Sequence, residues 1–228
     1  MPYWTDHQSV TLYHGDMREV VDALRLKVDL IVADPPYGET SLVWDRWPDG
    51  WLTVAAAAAR SMWVFGSMRA IAPRWVEYTA NGWKFSQDVV WEKHNGSGFL
   101  ADRFRRVHEH VCHWYRGRWD AVWHETPTTD DATARTIRRK QRPAHMGDIG
   151  RGDYRPEDGG PRLMRSVIAE RSMHGSAIHP TEKPVRLLEP LIAYGCPRGG
   201  GRAGSVRRVG CGWCGCVAAG QAGGHGGA

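Results

Sequence analysis

The sequence contains no apolar run near the roughly 20 residues that a membrane-spanning helix needs. Its start, Met1 to Val10, also lacks the basic-then-apolar order of a secretory leader, so a cytoplasmic location is expected. Cysteines number five, with Cys112 and Cys196 isolated and Cys211, Cys214 and Cys216 crowded near the end, which excludes an evenly spaced disulfide framework. No zinc-type spacing organises the histidines, so His94, His108, His110 and His113 are expected to bind no metal. No internal repeat is present.

What remains is ordinary for one soluble domain of 228 residues, with 42% hydrophobic and 24% charged residues. The net charge of +5 mildly favours a polyanionic partner. The 12 tryptophans, among them Trp44, Trp47 and Trp51, are expected mainly in packing.

Apolar periodicity predicts alternating strands and helices: strands at 10–13, 30–33, 62–65, 88–91 and 109–115, and helices at 17–26, 51–60, 68–80 and 184–193. This alternation implies an α/β sheet covered by helices on both faces. The run Leu30 to Ala33 meets Asp34-Pro35-Pro36-Tyr37, and consecutive prolines, which cannot donate ladder hydrogen bonds, force the chain out of the sheet as a stiff loop. Open α/β sheets bind ligands at such carboxyl ends. From 119 to 173 the sequence turns polar, Gly-rich and Arg-rich, the character of an inserted lobe.

The tetrad Asp34-Pro35-Pro36-Tyr37 resembles the catalytic motif of the amino-methylating DNA methyltransferases, which move a methyl group from S-adenosylmethionine to adenine N6 or cytosine N4. The approach Leu12-Tyr13-His14-Gly15-Asp16-Met17 is similar to the same family's, as is His179-Pro180-Thr181-Glu182-Lys183-Pro184. Catalytic motif first and cofactor segment last is the permuted order of the β group. Trp91 to Gly96 and Phe104 to His110 resemble the family's segments flanking the target base.

The resemblance implies a Rossmann-like S-adenosylmethionine-dependent methyltransferase fold. It divides the chain into a catalytic core at 1–118, a target recognition insertion at 119–173 and a cofactor-side segment at 174–200. It implies catalytic roles for Asp34, Pro35, Pro36 and Tyr37: the Asp34 carboxylate and the Pro35 carbonyl accept the two amine N–H bonds, and Tyr37 stacks on an extruded base. Direct in-line displacement then needs no covalent enzyme intermediate. Adenine N6 is favoured because Asp begins the tetrad, whereas the family's cytosine N4 enzymes more often begin it with Ser.

Cofactor contacts are implied at Asp16, Asp34, His179, Pro180, Thr181 and Lys183, although Asp16 suits a helix N-cap equally and the 179–184 segment suits a capped helix start. The basic stretch containing Arg135, Arg138, Arg139, Lys140 and Arg142 fits phosphate contacts or a solvated loop. The implied partner is double-stranded DNA; a cognate restriction nuclease and the oligomeric state stay open.

The family closes its cofactor site with a strand running into Asp-Pro-Phe-x-Gly-x-Gly, and residues 201–211 carry no such motif. Read from the second base of the Gly201 codon, the permitted triplets accommodate Val-Val-Leu-Asp-Pro-Phe-Ala-Gly-Ser-Gly. A single frameshift between about Leu191 and Gly201 explains this, and it explains the cysteine crowding better than an isolated Cys-x-x-Cys pair does. On that basis 201–228 is expected to be an out-of-frame, disordered tail, with the C-terminal strand missing and S-adenosylmethionine binding weak or absent.

Overall fold

A computed structural model describes residues 4–5, 11–97, 102–135, 137–138, 153–154, 156–173, 175, 177, 182–198, 202–207 and 215–219. In chain order the first elements are β1 (Trp4–Thr5), β2 (Thr11–Gly15), α1 (Met17–Ala23), β3 (Leu30–Ala33), α2 (Trp51–Ala58) and β4 (Ser61–Gly66). Then come α3 (Met68–Ile71), a 3-10 turn at Ala72–Arg74, α4 (Trp75–Ala80), β5 (Lys84–Ser97) and β6 (Arg106–Tyr115). Short strands follow: β7 (Thr128–Thr129), β8 (Ile137–Arg138), β9 (Asp153–Tyr154), β10 (Arg162–Leu163) and β11 (Val167–Ala169). The chain closes with α5 (Val185–Gly195), β12 (Arg202–Arg207) and β13 (Gly215–Ala219).

The chain folds as two compact units, one of Met1–Glu125 with Ser166–Ala228 and one of Thr126–Arg165. The first holds a mixed sheet in the order β1-β2-β13-β12-β3-β4-β6-β5-β11. β12, β3 and β4 run parallel to one another, and β6 pairs antiparallel with both β4 and β5.

Alternation along β4 divides the core. Met62 and Val64 join α1, α2 and Tyr78 of α4 on one face, while Trp63 and Phe65 meet Leu187, Leu191 and Tyr194 of α5 on the other. The predicted α/β sheet with helices on both faces is the observed architecture. The helix expected at 68–80 is interrupted at Ala72–Arg74, because Pro73 lacks the N–H that would continue it.

The expectation of a missing C-terminal strand is corrected. β12 pairs parallel with β3, setting Gly204 beside Val32 and Ser205 beside Ala33, and β13 returns antiparallel between β12 and β2. The physical reason is that strand pairing uses backbone groups, and neither Arg202–Arg207 nor Gly215–Ala219 contains a proline to interrupt it.

In the smaller unit, β7 pairs with β10 and β8 with β9, both antiparallel. The Arg162 and Asp131 side chains form an exposed ion pair there. Among the described residues no helix is long and apolar enough to cross a membrane.

Candidate active site

β2, β12, β3 and β4 all run in one direction, so their carboxyl ends share one rim of the sheet. Asp34 leaves β3 at that rim, followed by buried Pro35 and Pro36. Its two carboxylate oxygens have different partners: the Tyr37 hydroxyl donates to Oδ1 at 3.0 Å, and Lys183 Nζ donates to Oδ2 at 2.8 Å.

A second carboxylate completes the cluster. Glu109 Oε2 lies 3.4 Å from the Tyr37 hydroxyl and 3.6 Å from Lys183 Nζ, while Lys93 Nζ contacts Oε1. Asp34, Glu109, Lys93 and Lys183 therefore form a balanced set of two acids and two ammoniums, with the Tyr37 hydroxyl between the acids. Phe65 underlies Lys183, its ring centroid 5.1 Å from Nζ, and Trp91 lies 4.8 Å from Lys93 Nζ.

Burial and charge oppose each other in this cluster. Burial acts to raise the Glu109 carboxyl, but Lys183 and Lys93 outweigh it and hold that group below its ordinary value. Burial acts to lower the Lys183 ammonium, but Asp34 and Glu109 hold it above its ordinary value. For Tyr37, burial and the same two carboxylates act together, so the phenol stays protonated well above its usual range.

The loop after the tetrad is built around Asp45, which is only 3% exposed. Its carboxylate accepts the backbone N–H groups of Gly38, Glu39 and Thr40 at 3.0, 3.0 and 2.7 Å, and the Thr40 hydroxyl at 2.8 Å. The chain reverses here because Gly38 takes φ +72°, which a side chain would strain. Glu39 then meets the Ser67 hydroxyl at the start of α3 and Arg106 Nη1, the latter at 3.0 Å, joining this loop to β6.

Asp34, Pro35, Pro36 and Tyr37, expected to be catalytic, lie together with Lys183, expected at the cofactor, which stands here as the counter-charge of Asp34. Asp16 caps α1, accepting the Arg18 N–H at 2.9 Å, and its carboxyl is lowered chiefly by hydrogen bonding from the Arg18 side chain. Its N-cap role is thus visible, at the carboxyl end of β2. His179, Pro180, Thr181, Arg139, Lys140 and Arg142 lie outside the described residues. Arg135 is exposed, and Arg138 lies in β8, where only the backbone is described.

Asp45 is not among the residues expected from the sequence, and Glu109 is expected only as part of the segment Phe104 to His110 flanking the target base. The signal for Asp45 was its position eight residues beyond Tyr37. Among the described residues no group of three or more His, Cys, Asp or Glu is placed to hold a metal ion. His110 Nδ1 instead meets Asp88, and His113 Nε2 meets Ser61 Oγ.

Two solved structures share the fold. The crystal structure of M1.HpyAVI aligns with a TM-score of 0.53 at 17% identity, covering 85% of this chain and 79% of that one. The M1.HpyAVI-SAM complex aligns with a TM-score of 0.51 at 20% identity, covering 85% and 81%. No curated protein sequence matches. The family model described as DNA methylase matches residues 28–202, a span from just before β3 to the first residue of β12, and the chain belongs to that family.

Proposed function

We propose that this protein is built to methylate adenine N6 in double-stranded DNA, an activity we assign to its frame-restored form. The carrying observation is the half-buried Asp34 carboxylate at the carboxyl end of β3, held by Tyr37 and Lys183. The lone pair of an exocyclic amine is delocalised into its ring. Two fixed acceptors, the Asp34 carboxylate and the Pro35 carbonyl, favour the pyramidal and more nucleophilic nitrogen by taking its two N–H bonds. Lys183 occupies Oδ2 as an N–H donor, so an arriving amine shares or displaces that hydrogen bond. The Tyr37 ring offers a stacking face for a base taken out of the duplex. Asp at the head of the tetrad favours adenine N6, and cytosine N4 is the alternative target. The insertion at 119–173 is assigned target recognition, supported by the separate compact unit at Thr126–Arg165.

The methyl donor for this chemistry is S-adenosylmethionine, and the fit of the chain to it is one-sided. Asp16 and Asp34 lie on the shared rim. But β12, the strand beside β3, pairs antiparallel with β13, and no described element after it is a helix. Such a helix start after a glycine turn is what receives an anionic ligand group in this type of sheet. Neither Arg202–Arg207 nor Gly215–Ala219 supplies that turn.

The proposed frameshift accounts for the mismatch. In the shifted frame Asp and Pro replace Gly204 and Ser205, and the structure sets those positions beside Val32 and Ala33, just ahead of Asp34. The restored acidic corner then stands next to the catalytic one. The same observation favours a second reading for the chain as it stands, a DNA-binding remnant without methyl transfer.

The test uses the chain as given and a frame-restored version, each with labelled methyl donor and either duplex DNA or RNA, followed by identification of the modified base. Label in duplex DNA as N6-methyladenine, from the restored chain and not from its Asp34→Ala variant, supports the proposal. N4-methylcytosine shifts the target, and label only in RNA overturns the substrate.

A further inference from the structure

β4 ends at Gly66, opposite His110 of β6, while β6 extends four residues further back to Arg106, itself paired with Ser97 of β5. Along β6, at about 3.3 Å per residue, this hairpin overhangs the carboxyl end of β4 by roughly 13 Å, with β5 bulging between Glu92 and Ser97. The overhang stands on the catalytic rim: Glu109 at its base contacts Tyr37, and Arg106 is ion-paired with Glu39 of the loop after the tetrad.

Leading into β6 the chain carries Asp102-Arg103-Phe104-Arg105-Arg106. Phe104 is fully exposed, at 101% of its reference area, and Arg103 and Arg105 on either side of it are exposed as well. Asp102 pairs with Arg103, leaving these five residues with a net positive charge. Arg105 folds against Gly96 of β5, where an added Cβ would lie 2.5 Å from its Nε.

We infer that this hairpin is a duplex-contacting ribbon and that Phe104 enters the base stack to fill the gap left when a base moves to Asp34 and Tyr37. The inference rests on the DNA reading above and deepens it by naming the contact surface. A two-stranded ribbon fits a DNA groove, and basic side chains complement its phosphates. Apolar wedges set among basic residues insert between base steps in proteins that open a duplex. Extruding a base forfeits its stacking, and a ring sliding into the vacancy recovers part of that loss. An isolated exposed apolar residue is common on surfaces. What distinguishes Phe104 is its place between arginines leading into an overhang rooted in the catalytic cluster.

The test needs neither cofactor nor recognition sequence. Affinities of the full chain are measured by fluorescence anisotropy for a labelled mixed-sequence 30-bp duplex and for the same duplex with one abasic site, a vacancy ready for a wedge. Wild type is expected to prefer the abasic duplex by about fivefold or more, the low end of one base–aromatic stack. Phe104→Ala removes the preference while holding intact-duplex affinity within about twofold, and Phe104→Trp retains it. Arg105→Ala weakens both duplexes equally and lowers the salt slope by about one. Duplex binding by wild type without abasic preference, or a preference that survives Phe104→Ala, overturns the wedge alone. Binding to neither duplex by a chain with native circular dichroism overturns the DNA reading with it.

Discussion

The Lys183 ammonium lies 2.8 Å from Asp34 Oδ2, bridging 149 residues of sequence, and reaches Glu109 at 3.6 Å from the same atom. One lysine thus ties the segment entering α5 to the end of β3 and to β6. Lys183→Met deprives two largely buried carboxylates of a counter-charge, and leaving a buried charge uncompensated costs about 3–5 kcal/mol. Glu109 is held below its ordinary value of 4.5, so its pairing stabilises the fold above that pH and the contribution is lost as pH falls through the lower folded value. Lys183 is held above 10.5, so its contribution is complete below that pH and is lost as pH rises through the higher folded value. In urea denaturation, the gap between wild type and Lys183→Met should therefore be large at pH 7 and shrink under acid conditions. An equal gap at both pH values would show that Lys183 acts through packing rather than charge.

Asp45 organises the loop that follows Tyr37, and its removal should release that loop locally. Asp45→Ala strips the acceptor from three backbone N–H groups and the Thr40 hydroxyl, an expected loss of about 3 kcal/mol. Asp45→Asn keeps one side-chain oxygen and should fall between. Hydrogen exchange checks this directly: the amides of Gly38, Glu39 and Thr40 should exchange faster in the alanine variant while β3 and β4 stay protected. Unchanged exchange at those amides would remove Asp45 from its positioning role.

The contrast between Asp34 and Glu109 explains which parts of the site were legible in the sequence. Asp34 ends an apolar run and is followed by two prolines, so its place at a strand's carboxyl end is a local property. Glu109 belongs to the site through strand register, which no local pattern encodes: β6 pairs with β4 and β5 so that residue 109 stands just past Gly66. Helices on both faces of the sheet were legible from the alternation of strands and helices along the chain, whereas the 14-residue length of β5 was hidden by the polar Glu92 to Ser97. The strand at Arg202–Arg207 was hidden for a different reason, since its place depends on backbone pairing with β3 and its composition carries no apolar pattern.

His113 should give the fold an acid-sensitive step away from the active site. Burial, aided by His124, lowers its pKa from 6.5 to about 3, so the folded protein holds it neutral against Ser61 while the unfolded chain protonates it. Its contribution is complete above pH 6.5 and is lost as pH falls toward 3, at about 1.4 kcal/mol per pH unit. Between pH 6.5 and 5 this amounts to about 2 kcal/mol. His113→Phe removes the titration and leaves the Ser61 hydroxyl without its ring partner, so the variant should be less stable at pH 7 yet lose less stability on acidification. Parallel pH dependences in urea would assign the acid sensitivity to other groups.

Restoring the frame after α5 should separate the acceptor half of the site from the donor half. Asp34, Tyr37, Glu109 and Lys183 all precede residues 191–201, where the proposed frameshift lies, so the base-handling cluster should be the same in both chains. β12 keeps its slot, but in the restored chain it ends in Asp-Pro-Phe followed by a glycine-containing turn whose backbone can approach a ligand closely. Calorimetric titration with S-adenosylmethionine should therefore show micromolar binding by the restored chain and none at the same concentrations by the chain as given. Duplex affinity, which depends on residues common to both, should differ by no more than about threefold. Equal cofactor binding by the two chains would mean that 202–219 builds a competent pocket as it stands, and the frameshift would then explain nothing about function.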